Sequence, residues 1–374
     1  VWVRPDGITE VVFGAYDKAV HFVNAETGER TRSDFRVGDL IKGSVTIDPD
    51  GYPLLYFGSR DNKLRIVALD RSEPTELWAI DSANHPGIWN NDWDGNPSIV
   101  EDIMFEGGEN GILFATKLNR SYDGEGRVQV TPEILLKVEG WNDDLIRSVG
   151  DRNASIESSV AILNGLLYFT NSGGRVVGLD ITQVESGEAP VVFDFWAGDD
   201  IDASPVIDAD GMLYIAIELE RNLPRADEVG QIIKLDPSRP DDPLVWSVAV
   251  PALNSLTDGG AWATPALGDG VLFAATHPGD LLAIDTDTGE VLWTDAIGFH
   301  AWSSPLIVDG HLLVAVDCEA GGGFRAYSLA DPANPVQVWN MAHGGGCIES
   351  TPTVWDGRIF VGSRDGFFYA FGDQ

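Results

Sequence analysis

The segment Ser350–Phe371, STPTVWDGRIFVGSRDGFFYAF, constrains the fold more than any other stretch. Its pattern predicts three short strands: Thr353–Trp355, a tight turn at Asp356-Gly357, Ile359–Gly362, a second turn at Arg364-Asp365-Gly366, then Phe367–Phe371. Asp-Gly supplies the positive φ that a two-residue hairpin turn needs, and the flanking runs are β-branched and aromatic. One such hairpin leaves its faces uncovered, so its recurrence decides the architecture. Related segments run over Val1–Val23, Ser44–Leu69, Asn96–Leu118, Ser159–Leu179, Ser204–Leu235, Thr264–Ile284 and Ser304–Leu329, which makes eight copies with the C-terminal one. The period of roughly 40–50 residues is that of four-stranded propeller blades. A fourth strand is expected after most copies, ending on Trp78, Trp141, Trp196, Trp246, Trp293 or Trp339. The fold expected is all-β: an eight-bladed β-propeller of four-stranded antiparallel blades.

The blades are expected at about residues 1–35, 36–82, 83–141, 142–198, 199–250, 251–298, 299–342 and 343–374, as a single domain over 1–374. Asn119–Thr131 reads as a lengthened hairpin or surface loop, and Glu218–Gly230 as a long, charged second turn. Helical periodicity is nowhere sustained. Val1–Arg4 aligns with Val45–Asp48, and the eighth repeat ends without a fourth strand. A segment upstream of Val1 is expected to supply that strand and cover the sheet edge.

Acidic residues outnumber basic ones 59 to 24, for a net charge of -35. Such a field repels nucleic acid and anionic membrane, and favours solubility and cation binding. No apolar run approaches the roughly 18 residues of a membrane span. The chain starts at Val1 without a signal-peptide pattern and reads as processed or trimmed. Of its two cysteines, Cys318 falls in the second turn of the seventh blade and Cys347 in the loop leading into the eighth. These positions share a face of adjacent blades, so Cys318–Cys347 is a disulfide candidate, two free thiols being the alternative. A disulfide fits an exported protein, periplasmic or extracellular.

The sharpest local signature is Ala283-Ile284-Asp285-Thr286-Asp287-Thr288-Gly289-Glu290-Val291-Leu292-Trp293, with partial copies at Val23–Glu29 and Ala68–Trp78. It resembles the AxDxxTGxxxW tryptophan-docking motif of quinoprotein-type (PQQ-like) propeller repeats, and the resemblance runs over nearly the whole chain. The Asp side chain holds the turn, Gly takes the left-handed position and Trp fills the gap between blades. The resemblance implies the fold. It leaves function open, because the same repeat builds quinone-dependent dehydrogenases and BamB-type scaffold lipoproteins of outer-membrane protein assembly. Quinoprotein alcohol dehydrogenases hold the quinone between a tryptophan and a ring of two adjacent cysteines, beside a calcium or lanthanide ion. This chain has no adjacent cysteines and no CxxCH haem site, which argues against PQQ.

In quinoprotein-type propellers, ligands sit at the channel mouth formed by the loops leading into each innermost strand (the lead-in loops) and by the second turn of each blade. Aligned on their Ser/Thr-Pro step (Asn-Pro in blade three), the lead-in loops place Lys42, Asp94, Glu157, Asp202, Trp262, Trp302 and Glu349 at one equivalent position. The same loops add His85, Trp89, Asn90, Asn91, Asp92, Trp93, His300 and His343; the second turns add His277, Arg60, Arg175 and Arg364. Lys42, Trp89, Trp93, Asp94, Glu157, Asp202, Trp262, Trp302 and Glu349 are the ligand-binding candidates. Aromatics beside carboxylates suit a polar ligand with a flat or cationic face. Packing to plug the channel is the alternative. Asp94, Glu157, Asp202 and Glu349 are metal candidates, because converging carboxylates suit a hard cation such as Ca²⁺. A softer metal would use His277, His300, His343, Cys318 and Cys347. No nucleophile elbow or phosphate loop is present, and the Gly321–Gly323 and Gly344–Gly346 triplets read as wide turns. No catalytic residue is assigned. The reading is a non-catalytic scaffold that binds a protein partner or a small polar ligand. A PQQ- or metal-dependent oxidoreductase and a structural subunit of a surface assembly are the alternatives.

Overall fold

A computed structural model describes residues 1–253, 259–316, 322–341 and 346–372. The strands form eight successive antiparallel sheets, each in meander order. Blades 1–7 have four strands each, and blade 8, with Thr353–Trp355, Arg358–Gly362 and Phe368–Phe371, has three among the described residues. This is an eight-bladed β-propeller fold. By packing, the chain divides into one compact unit of residues 1–173 with 177–192 and a second of 174–176 with 193–374.

Side-chain alternation makes the blades stack. In blade 2, Leu55 and Phe57 pack with Val12, Val20 and Phe22 of blade 1. Their neighbours Leu54 and Tyr56 point the other way, onto Met104, Ile112 and Phe114 of blade 3. The period of 2 therefore buries both faces of one sheet, which is why these strands read as continuous apolar runs. The second unit repeats the arrangement: Phe273, Leu281 and Ala283 of blade 6 pack on Leu312, Val314 and Tyr327 of blade 7.

Tryptophan docking takes the form the motif implies, best seen between blades 5 and 6. The Asp285 carboxylate accepts from the backbone N–H groups of Asp287 (3.0 Å) and Thr288 (2.8 Å). Gly289 follows at φ +74°. A Cβ there would stand 2.8 Å from the Trp246 ring. In blade 1, Asn24 replaces the aspartate and accepts from Glu26 and Thr27. Trp78, Trp246, Trp293 and Trp339 lie inside their fourth strands rather than at the ends, and Trp141 lies beyond its strand, Glu133–Glu139.

The Asn119–Thr131 excursion is a small hairpin, with Ser121–Tyr122 paired to Val128–Gln129. Arg120 pins it by ion pairs to Asp48, Asp50 and Asp102. Among the described residues, two short α-helices depart from the strand-only expectation. Asp143–Val149 is capped by Asn142, which accepts from Leu145 N–H, and closes on Gly150 at φ 80°. Pro224–Val229 sits inside the second turn of blade 5. Both are too short to produce a sustained 3.6-residue period, although the Asn-Asp-Asp start of the first was a legible cap.

Candidate functional site

A belt of hydrogen bonds sets the lead-in loops in register. In the first unit, Ser44 N–H donates to the Asn96 side chain (2.7 Å) and Asn96 N–H to the Ser159 hydroxyl (3.0 Å). In the second unit, Ser204 N–H donates to Thr264 (3.0 Å), Thr264 to Ser304 (3.1 Å) and Ser304 to Thr351 (3.3 Å). Asn96, Ser159, Thr264, Ser304 and Thr351 thus each accept from the preceding blade, and the residue two positions earlier takes an equivalent place in these loops.

In the first unit these places are in contact. Lys42 Nζ lies 2.9 Å from Asp94 and 3.1 Å from Glu157. Arg60, from the second turn of blade 2, adds contacts to Asp94 (2.7 Å) and Glu109 (3.4 Å). Asn90 donates to Asp92 and Glu109. Oxygens of Asp94, Glu109 and Glu157 come within 4.8 Å of one another. Gly43 permits this closeness, since a Cβ there would meet the Asp94 carbonyl at 2.4 Å. Burial raises the Asp94 pKa, but the Arg60 hydrogen bond and the Lys42 charge outweigh it and hold the carboxyl below its usual value. Glu109 goes the other way, pushed up to about 8 by burial and then by the charges of Glu157 and Asp94. Behind it the fully buried Glu106, whose Oε1 has no hydrogen-bond partner among the described residues, is raised by burial and by Asp94. Lys42 and Arg60 already supply positive charge where a hard cation would sit.

The second unit holds a different chemistry. Trp262 and Trp302 lie with ring centroids 5.4 Å apart and planes at 7°. His277 stacks on Trp262 at 4.2 Å, and His300 stacks on His277 at 4.7 Å. His300 also lies parallel to Trp302, at 6.0 Å. Both tryptophans are half-buried, and neither indole Nε1, each buried, has a hydrogen-bond partner among the described residues. His300 N–H donates to the His277 carbonyl, tying the lead-in loop of blade 7 to the second turn of blade 6. In the same unit, oxygens of Asp200, Asp202 and Glu218 come within 4.8 Å of one another, with Arg221 3.5 Å from Asp200. Glu349 pairs with Arg364 at 2.6 Å.

The four metal candidates therefore fall into three groups: Asp94 and Glu157 share Lys42, Glu349 takes Arg364, and Asp202 groups with Asp200 and Glu218. Trp93 is a core residue rather than a mouth residue. It is 0% exposed, packs on Phe114 and donates from Nε1 to the Asn62 carbonyl. Trp89 is 53% exposed. Arg175 pairs with Asp194 on the fourth strand of its blade, and His85 lies against Lys137. Cys318, His343, Gly321, Gly344 and Gly345 lie outside the described residues, and so does the Cys318–Cys347 pairing. Glu106, Glu109, Asp200 and Glu218 were missed by sequence reasoning. Glu109 occupies the same second-turn region that gave Arg60 and His277, so the turn alignment could have found it.

Residues 229–340 match the family described as outer membrane protein assembly factor BamB. The BamB proteins of Escherichia coli K12 and Shigella dysenteriae are each 26% identical over 106 residues. That match spans 28% of this chain and only 25% of the relatives' own length. Among solved structures, BamB from Moraxella catarrhalis superposes over 100% of this chain and 96% of its own, at TM-score 0.64 and 15% identity. Saccharomyces cerevisiae Sqt1 covers 98% of this chain and 93% of its own at TM-score 0.70 and 9% identity. The computationally designed Ika8 protein covers 97% and 93% at TM-score 0.66 and 11% identity. With the docking motif seated between blades 5 and 6, residues 229–340 resemble the PQQ-like repeats of BamB, and the chain as a whole shares the β-propeller fold.

Proposed function

We propose that this chain is a non-catalytic, exported scaffold that binds a protein partner or a polar ligand through its lead-in-loop face, with residues 1–374 acting as one propeller domain. The observation that carries the reading is the stack of Trp262, His277, His300 and Trp302. It builds a half-buried aromatic platform where the fold requires only a turn, and aromatic platforms are the usual anchors of binding surfaces. The name of the BamB relatives, assembly factor, points the same way. The paired state of Asp94, Glu157 and Glu349 favours binding over Ca²⁺-assisted redox chemistry.

A photo-cross-linking residue at position 89 or 300, compared with one at exposed Val245 on the outer strand of blade 5, tests this in the organism of origin. Adducts from 89 or 300 are expected, those from 300 disappearing when Trp262 and Trp302 are both changed to Ala. Adducts from 245 alone would favour a structural subunit that uses its blade edges. Calcium-dependent PQQ binding with a quinone absorption band would instead move the oxidoreductase reading to the front.

A further inference from the structure

We infer that the exposed ring of Tyr122 is a docking site for arginine side chains of a partner protein, at the end of blades 2 and 3 away from the lead-in loops. This goes beyond the lead-in-loop reading, and neither needs the other. In an antiparallel meander the lead-in loop and second turn lie at one end of the strands, and the first and third turns at the other. The Asn119–Thr131 hairpin belongs to the latter end. It lies in the third turn of blade 3, between strands that end at Lys117 and start at Glu133. Blade 6 makes the same connection with residues 286–290 alone, so closing the turn does not require a hairpin.

The fold holds this hairpin from two sides. Arg120 lies 2.8 Å from Asp48, Asp50 and Asp102, all in the first turns of blades 2 and 3. Val128 is buried in the core between those blades. Its N–H donates to Asp70 (2.7 Å) and its carbonyl accepts from Arg71 (2.6 Å), both in the third turn of blade 2. On this base Tyr122 lies nearly parallel to Tyr52, with ring centroids 5.5 Å apart and planes at 17°. Tyr122 is nevertheless 53% exposed. A tyrosine already held by stacking loses little conformational entropy when a partner covers it, which is what an anchor residue needs.

Charge names the occupant. The stack already takes one guanidinium, since Arg120 lies 4.8 Å from the Tyr52 ring centroid. That single cation is shared by the three carboxylates at the foot of the hairpin. At the tip, Arg127 is shared by Asp123 (3.0 Å) and Glu125 (3.1 Å). Negative charge is therefore in excess at both ends of the hairpin, and Asp50 and Glu125 stay exposed. A guanidinium answers both features. It is planar and stacks on an aromatic face, and its fork of N–H groups meets carboxylates, which a lysine ammonium matches less well. Alternate residues of an extended segment point to one side, so two arginines spaced by one residue reach Tyr122 and a neighbouring carboxylate together. The net charge of -35 draws such a basic segment in.

The test uses the full-length polypeptide labelled with fluorotyrosine and followed by fluorine NMR, with Tyr122→Phe identifying the Tyr122 signal. The probe is the capped peptide Gly-Arg-Gly-Arg-Gly, in salt of about 0.15 M so that attraction beyond about 8 Å is screened. A saturable shift of the Tyr122 signal is expected. The citrulline peptide, equal in shape but uncharged, should bind about three-fold or more weakly, the scale of an exposed cation–π contact. Neutralising Asp50→Asn together with Glu125→Gln should weaken the arginine peptide by a similar factor. No shift up to about 10 mM peptide would overturn the proposal, and so would equal binding by the citrulline peptide or by the neutralised variant. An equal shift at Tyr16, which is 46% exposed in the second turn of blade 1, would show attraction to the acidic surface at large and overturn it too. Methylguanidinium binding as tightly as the peptide would mean that a free small cation suffices, and the partner-protein assignment would fall.

Discussion

The Trp246 indole donates its Nε1 proton to the Thr286 carbonyl, 2.8 Å away, so a side chain of blade 5 closes the turn of blade 6. Gly289 lies under the ring with no room for a Cβ. Trp246→Ala should cost about 3–5 kcal/mol, the range for deleting a buried aromatic. Gly289→Ala should cost about 2 kcal/mol, from the left-handed backbone and the collision with the ring. Trp246→Phe should cost least if the turn and not the hydrogen bond dominates. Urea unfolding of the three variants ranks these terms.

Glu109 should make stability fall with rising pH. Its carboxyl titrates near 4.5 when unpaired and is pushed up to about 8 in the fold by burial, then by Glu157 and Asp94. Between those values the folded chain holds a proton that the unfolded chain has released, so stability is lost as pH rises through that window. Glu109→Gln should remove this slope. The variant should be more stable than the parent at pH 8 by on the order of 2 kcal/mol and equal to it near pH 4. Denaturant melts at pH 4, 6 and 8 check the prediction.

Lys42 stands in the place of a metal. Lys42→Met leaves Asp94 and Glu157 without their shared partner and should cost about 2 kcal/mol, because a buried carboxylate loses its counter-charge. Millimolar Ca²⁺ should recover part of that loss in the variant and leave the parent's melting temperature unchanged. Recovery in neither protein would mean that Arg60 alone holds the cluster.

Salt should stabilise the whole chain. At a net charge of -35 the compact state works against its own field, and salt near 1 M shortens the screening length to about 3 Å. The melting temperature should rise by several degrees between dilute buffer and 2 M KCl, a shift of about 1 kcal/mol or more in stability. A flat or falling curve would show that ion pairs such as Arg120 with Asp48 outweigh the repulsion.

The blades were legible because hairpin turns are local. Asp-Gly and Asn-Gly pairs, alternating apolar residues and the Asp285–Trp293 motif each report on a few neighbouring positions. The lead-in positions were legible for the same reason: a Ser, Thr or Asn, followed by Pro in five of the seven loops, marks each of them, and Lys42, Asp94 and Glu157 do meet. What side chains do after meeting was not legible. Trp93 and Trp89 share one loop, yet one fills a core and the other faces solvent, because the path of a loop between blades is set by packing at Gly58 and Phe114. Glu106 sits in a strand that reads as core, and its charge gave no sign that it would be buried beside Asp94. The helix at Pro224–Val229 is stabilised by tertiary contacts rather than by its own period.

The Trp262–Trp302 pair also has an optical consequence. Two indoles 5.4 Å apart with planes at 7° share their excited states, so their transitions split into a couplet in circular dichroism. With His277 and His300 stacked beside them, a protonated imidazole would quench their emission. The chain therefore carries a native chromophore at the lead-in loops of blades 6 and 7. An occupant that wedges the rings apart should announce itself by the collapse of the couplet, without any label.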